Sequence, residues 1–516
     1  MNSRVAKWLR FSGPALLAVF ICGCSVPLGP GFRLRSRALT FQESPGALAP
    51  VHLRVTEQME NKGNRPLAFL DVALPGPGNT SRSNLAIRVA GRPVLPVAIS
   101  NDPSAPVRLP FDPPWPVRQR REVVFEYDLV TNSVSGSVAG VTPGGFYLAD
   151  PRALPFWITP VGVFASGDVL ARDERFEITL PADYRIVASG HQQRRRAADG
   201  KFLYRFRTSG KEPPTFVIGG RYLEQVIHLP TGDVIFWTFR PLDPDVAQRA
   251  AGPLSATYAI LSSYFGTNTK PAAPLIIEAP AGLFASRGGE PALAASFPGG
   301  LLLSSNGFDR GIASESVLRA AESEMTRIWF GWRVPLRPEI DTILGRGLGQ
   351  FAVVLAAEQS GGRAARQAEI VRMLAEYDQA PPELREVSML RPPEQCTPAQ
   401  LSANALRAAL FLEALDDMAG RDKFMKALRT MQTAMAGRAL MLSLDDLRSA
   451  LEAATETPMA DVFRQWINGP RVPDEFRRRY GASALAVPTP SARPPTLGLA
   501  SPEHDRGVVV QSRRHS

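Results

Sequence analysis

The hydrophobic period changes once along the chain, near Pro241, and this limits the fold more than any other feature. From about 50 to 240, short runs alternate apolar and polar residues and end in turn residues. Val51 to Thr56, Leu67 to Leu74, Glu122 to Leu129, Arg175 to Leu180, Phe202 to Arg207 and Val234 to Phe239 are examples. That is the period of antiparallel strands with one buried face. Beyond Pro241 the period lengthens, and helices are predicted over 246–265, 315–331, 340–359, 364–377, 398–418, 421–436, 444–453 and 457–468. Two apolar runs, Pro274 to Glu278 and Gly300 to Ser304, interrupt them as buried strands. Two successive blocks of different period predict an α+β multidomain chain. It comprises an antiparallel β-sandwich over 49–240 and a mainly helical domain over 241–480. With 516 residues there is length enough for both cores. Residues 481–516 are rich in Pro and Ser and lack a periodic apolar face, which predicts a disordered tail.

The first 23 residues read as an export signal. Arg4, Lys7 and Arg10 precede the apolar run Pro14 to Ile21, which is too short to span a bilayer. It ends in Ile21-Cys22-Gly23-Cys24-Ser25, which resembles the lipobox of bacterial lipoproteins. The resemblance implies cleavage before Cys24 and acylation of its thiol. The expected partner at this end is a membrane, reached through lipidated Cys24, with residues 24–48 as a tether. The signal and lipobox imply an exported chain anchored by lipid in the bacterial cell envelope, and Ser25 rather than Asp after Cys24 points, by analogy with enteric bacteria, to the outer membrane facing the periplasm.

The chain has 5 His and 3 Cys. Loss of Cys22 with the signal and acylation of Cys24 would leave Cys396 as the one free thiol, so no disulfide scaffold is expected. The net charge of +10 is almost all Arg and is scattered, which argues against a nucleic-acid partner.

A sharper expectation comes from 322–351. Glu322-Ser323-Glu324-Met325-Thr326-Arg327-Ile328-Trp329-Phe330-Gly331 resembles the zinc helix of the aminopeptidase N family, a gluzincin family. The family's run there is His-Glu-x-x-His followed by Gln-Trp-Phe-Gly. The Trp-Phe-Gly end matches. The resemblance places Ser323 and Arg327 at the two His ligands and Glu324 at the general base. The family's third ligand, a Glu after an eighteen-residue spacer, falls on Arg346 within Ile343-Leu344-Gly345-Arg346-Gly347-Leu348-Gly349. Ala405 falls on the Tyr that stabilises the transition state. The motif that holds the substrate amine has two loose counterparts, Arg287-Gly288-Gly289-Glu290-Pro291 and Ala294-Ala295-Ser296-Phe297-Pro298-Gly299. The resemblance implies a thermolysin-like architecture for the second domain.

Zincin chemistry needs three protein ligands and an open position for water. Here two ligand positions hold a permanent cation and the third a hydroxyl. The His residues are His52, His191, His228, His504 and His515, none of them between 229 and 503. No zinc, no other cofactor and no peptidase activity are expected. Glu324 is instead expected to pair with Arg327 and Arg346 and to link the two segments as the metal would. A second use of the same residues is a pocket of Arg327, Arg346 and Glu290 for a peptide or protein partner in the former substrate cleft. The leading function is thus a binding or scaffold role on an inactive peptidase-like domain. An active metallo-aminopeptidase with a non-standard site and a purely structural envelope lipoprotein are the alternatives.

Overall fold

The computed structural model describes residues 32–484 except 44–50, 75–79, 100–105, 132–138, 143–144, 149–153, 159–172, 197–199, 210–215, 267–272, 285, 288–289, 393–394 and 436–440. The signal, Cys24 and the C-terminal tail from 485 lie outside the described residues. An eight-stranded sheet runs in space His191–Arg196, Phe202–Ser209, Asp173–Leu180, Phe32–Glu43, Val51–Asn61, Arg120–Thr131, Thr80–Val89, Arg92–Pro93. Two four-stranded sheets close over it. Leu34, Val55 and Phe125 of the large sheet share one core with Val72, Leu109 and Trp115 of one small sheet and Phe146 and Val217 of the other.

The first strand corrects two expectations. Phe32–Glu43 is not tether but a central strand, with Ser36 to Gln42 paired parallel to Asp173 to Thr179, so the domain is not wholly antiparallel. A register shift between Leu34 and Ser36 against the next strand changes the inward phase, so Phe32, Leu34, Arg37 and Leu39 are the buried residues. Arg37 is buried against fully enclosed Glu57, at 2.7 Å.

The boundary between the blocks falls earlier than Pro241. Leu223–Ile227 and Val234–Thr238 belong to a five-stranded sheet with Leu275–Ala279, Gly300–Ser304 and Ala294–Phe297, in that spatial order. Helices Pro244–Phe265 and Glu315–Met325 pack on it, and the later helices pack on them to complete one core. Asp243 caps that first helix by accepting from the backbone N–H groups of Asp245 and Val246. The segment Pro338–Gln379 is long and apolar enough to cross a membrane, yet it is largely buried as the centre of this core.

The Gly345-x-Gly347-x-Gly349 run now has a physical reason. A Cβ at Gly349 would sit 2.4 Å from the carbonyl oxygen of Glu322, and one at Gly347 would sit 2.5 Å from the Cβ of Ala408. The absent side chains let residues 341–349 touch helix Glu315–Met325 on one side and helix Pro398–Ala419 on the other. Gly349→Ala is therefore expected to cost ~1–3 kcal/mol by forcing helices apart. Urea unfolding of the variant against wild type reads the loss.

Candidate functional site: an ion-pair chain between two helical segments

Three elements meet at Glu324. Helix Glu315–Met325 carries it, the segment 341–347 faces it, and strand Ala294–Phe297 at the sheet edge runs beside it. The α-helix stops at Met325, and Thr326–Ile328 form a 3-10 turn instead of the predicted helix to 331. Aromatic packing fixes that end. Trp329 donates its indole N–H to Gly266 at 2.9 Å and packs on Tyr258, while Phe330 packs edge-on to Phe265. Arg327, three residues after Glu324, comes within reach of its carboxylate, whereas the Ser323 hydroxyl turns to Gln350. Gly331, at φ +143°, then lets the chain reverse, and Trp332 N–H donates to the Arg327 carbonyl at 2.9 Å.

The facing segment Asp341–Gly347 is a π-helix, with i→i+5 spacing in place of i→i+4. Its wider turn places Asp341 and Arg346 on the side of Glu324. Gly345 makes the room, since a Cβ there would lie 2.7 Å from Asp341 Oδ1. Thr326 fastens the two segments by donating its hydroxyl to the Gly345 carbonyl at 3.0 Å.

The resulting charges form a chain. Arg346 Nη1 lies 2.6 Å from Glu324 Oε1. Arg327 Nε lies 3.7 Å from Glu324 Oε2, and its Nη1 donates to both oxygens of Asp341 at 2.7 Å. Ser296 adds its backbone N–H at 3.3 Å and its hydroxyl at 3.1 Å to Glu324 Oε2. Trp332 Nε1 donates in turn to Ser296 Oγ at 3.1 Å. Two carboxylates and two guanidiniums cancel. Glu324 is buried, with a side chain 8% exposed, while those of Arg327 and Arg346 are 25% and 23% exposed. Charges this close and this enclosed attract far more strongly than a surface pair.

The expected pairing of Glu324 with both arginines is present, and the structure adds Asp341, Ser296 and Trp332. Asp341 is the partner that sequence reasoning missed. Its signal was an acid five residues before Arg346, a spacing that means nothing in an α-helix and places both on one side only in a π-turn. Ser323 lies apart from this chain and accepts from Gln350 Nε2 at 2.6 Å. Ala405 is buried in helix Pro398–Ala419, one turn before the Ala408 that touches Gly347. Glu290 lies in the small hairpin Ser286–Arg287 with Glu290–Pro291, and its side chain lies outside the described residues.

No family model and no curated protein matches the chain. Solved structures do. An M1 zinc metallopeptidase from Deinococcus radiodurans is similar over 86% of this chain and 95% of its own, with 18% identity and a TM-score of 0.59. A mutant of an M1 zinc metallopeptidase from the same organism, bound to a Tyr-Ser-Ala substrate, is similar over 86% and 95%, at 19% identity and TM-score 0.57. Aminopeptidase A from Legionella pneumophila, in complex with aspartic acid, is similar over 86% of this chain and 50% of its own, at 13% identity and TM-score 0.58.

Those structures, similar in fold, raise the question of zinc, and the donor set here does not fit it. Both Glu324 oxygens face cations, and Oε2 also accepts from Ser296; both Asp341 oxygens accept from Arg327. The Ser323 hydroxyl accepts from Gln350. Among the described residues no three His, Cys, Asp or Glu side chains gather at metal-binding spacing. A dication at this point would meet two fixed guanidiniums. The chain thus shares the fold of the two-domain M1 zinc metallopeptidases.

Proposed function

We propose that this is a non-catalytic, peptidase-like envelope protein, exported, acylated at Cys24 and acting by binding or scaffolding rather than by hydrolysis. One observation carries the reading. Two of the three positions that the family resemblance assigns to zinc, Arg327 and Arg346, and the general-base position Glu324 join Asp341 in a charge-balanced chain, Arg346–Glu324–Arg327–Asp341, in which both Glu324 oxygens face arginines and Oε2 also accepts from Ser296. A general base needs a free lone pair within reach of a water. The arginines take the place of the metal as the cross-link between helix and π-turn. Cys24 and the residues before it, with their basic start and apolar run, support the anchoring.

Metal analysis of the purified chain, together with hydrolysis of aminoacyl anilides, tests the claim. Substoichiometric zinc and no turnover above buffer are expected. Near-stoichiometric zinc, or turnover that Glu324→Gln abolishes, would overturn it. The mass of the N-terminal fragment reports separately on Cys24, where an added acyl group is expected.

A further inference from the structure

The β domain carries an exposed apolar face on the small sheet whose Leu67–Trp115 end meets Asn61, the partner of Phe32. Phe69, Leu95, Val97 and Ile99 are 43%, 85%, 54% and 46% exposed. Val97 pairs with Arg108, and Arg108 with Asp71, across the outer rows of one four-stranded sheet, with Val97–Ala98 as its edge strand. Phe69 lies on the same face, since the Arg108 guanidinium stacks over its ring at 3.7 Å. Apolar side chains standing out of a sheet edge are costly in water and mark a surface that is covered in use.

Next to this face is a basic corner built around Asn61. Asn61 pairs with Phe32, the first described residue. Its side-chain amide donates to the carbonyls of Arg65 and Trp115, and its own carbonyl accepts from the backbone N–H of Arg118. Arg65, Arg92, Arg118 and Arg120 are exposed and have no carboxylate partner among the described residues. Arg121 adds a further cation close to Arg92, bonded to the carbonyls of Pro113 and Pro114. The carboxylates nearby are Asp71, taken up by Arg108 at 2.8 and 3.0 Å, Glu60, paired with Arg35 and Lys62, exposed Glu122, which accepts from the Gln58 amide at 2.9 Å, and exposed Asp112.

We infer that this face, with its basic corner, rests on a bilayer containing anionic lipids, the four apolar side chains entering the headgroup region and the arginines meeting lipid phosphates. The inference draws its geometry from the proposed anchor at Cys24. Eight residue steps separate Cys24 from Phe32, a reach of at most about 26–29 Å. A chain held that close enters the fold at the basic corner, with Phe69 only a short strand segment away from the Leu67–Trp115 pair beside it. Apolar insertion and cationic attraction to phosphate act together at such surfaces, and the second is screened by salt.

The test uses the unacylated chain from Ser25, which lacks none of the described elements. It is floated with vesicles of phosphatidylglycerol and phosphatidylethanolamine, and with neutral phosphatidylcholine vesicles. Binding to the anionic vesicles, released by high salt, is expected. Arg65→Glu, Arg92→Glu, Arg118→Glu and Arg120→Glu together lower the partition coefficient on the order of a thousandfold or more, and Leu95→Asp with Val97→Asp at least on the order of tenfold. All six side chains are exposed, so unchanged thermal midpoints show that folding is intact. Equal partitioning of wild type and both variants, or self-association without vesicle binding, would overturn the inference. Vesicle binding by a chain that proves unacylated in the cell leaves the surface standing and removes the anchor. An acylated chain whose unacylated form ignores anionic vesicles does the reverse.

Discussion

Replacing Glu324 by alanine is expected to lower stability by roughly 3–5 kcal/mol, the loss typical when one partner of a buried ion pair is removed. Arg346 loses the carboxylate at 2.6 Å, and Ser296 loses the acceptor of both its backbone N–H and its hydroxyl. Arg327 keeps Asp341 and suffers less. The double change Glu324→Leu with Arg346→Met should recover a large part of the loss, since well-packed apolar residues often replace a buried pair without penalty. Urea unfolding of the three proteins decides the matter. A carboxylate kept for catalysis behaves differently, because active-site groups commonly sit at some expense to stability and their removal leaves it unchanged or raises it. Neutral or stabilising behaviour of Glu324→Ala would therefore count against the structural reading.

A second large effect is expected at Arg366, and it depends on pH. Arg366 Nη2 lies 2.6 Å from Glu413 and 2.8 Å from Asp416, with Asp417 at 3.6 Å and Glu358 within 3.4 Å of Nη1. Arg421 shares Asp416 and Glu358, and the Tyr480 hydroxyl donates to Glu413 and Asp417. Burial pushes the Glu413 carboxyl up to about 7 even though Arg366 pulls it down. The folded chain thus binds a proton there more tightly than the unfolded chain. The associated stability is complete below the ordinary carboxylate range and is lost as pH rises through about 7. Arg366→Ala removes the main counter-charge, so the penalty falls on the ionised form. The variant should lose less at about pH 5, where Asp416 and Glu358 still miss their cation, than at about pH 8, where the Glu413 penalty is added and the loss reaches roughly 3–5 kcal/mol. Thermal midpoints at the two values measure this, and a loss that is the same at both would show that Glu413 does not titrate as argued.

Much of the architecture was written in the period of the apolar residues. The six alternating runs before Pro241 are strands and the later periodic runs are helices, because in each the buried face repeats at the spacing of its element. The first strand escaped notice for a local reason. Its register shift puts Arg37 on an inward row, and a buried arginine reads as surface until Glu57 is seen beside it. The early domain boundary was hidden because Val234–Thr238 is a strand like those before it, and only its pairing with Leu275–Ala279 assigns it to the other sheet. At the site, the register of Glu324, Arg327 and Arg346 was legible from motif spacing. Asp341 and Ser296 were not, since the first depends on a π-turn and the second on an edge strand whose approach no local pattern encodes.

The position of the first strand has a mechanical consequence. Phe32–Glu43 is held on one flank by Val51–Asn61 and, from Ser36 to Gln42, on the other by Asp173–Thr179. A pull on the residues before Phe32 runs along the strand axis, so it loads both ladders in shear rather than opening them one bond at a time. The force passes into the middle of the largest sheet, between neighbours far apart in the chain. Under the proposed mooring at Cys24, drag on the body would enter at a strand flanked on both sides and be shared by many hydrogen bonds at once.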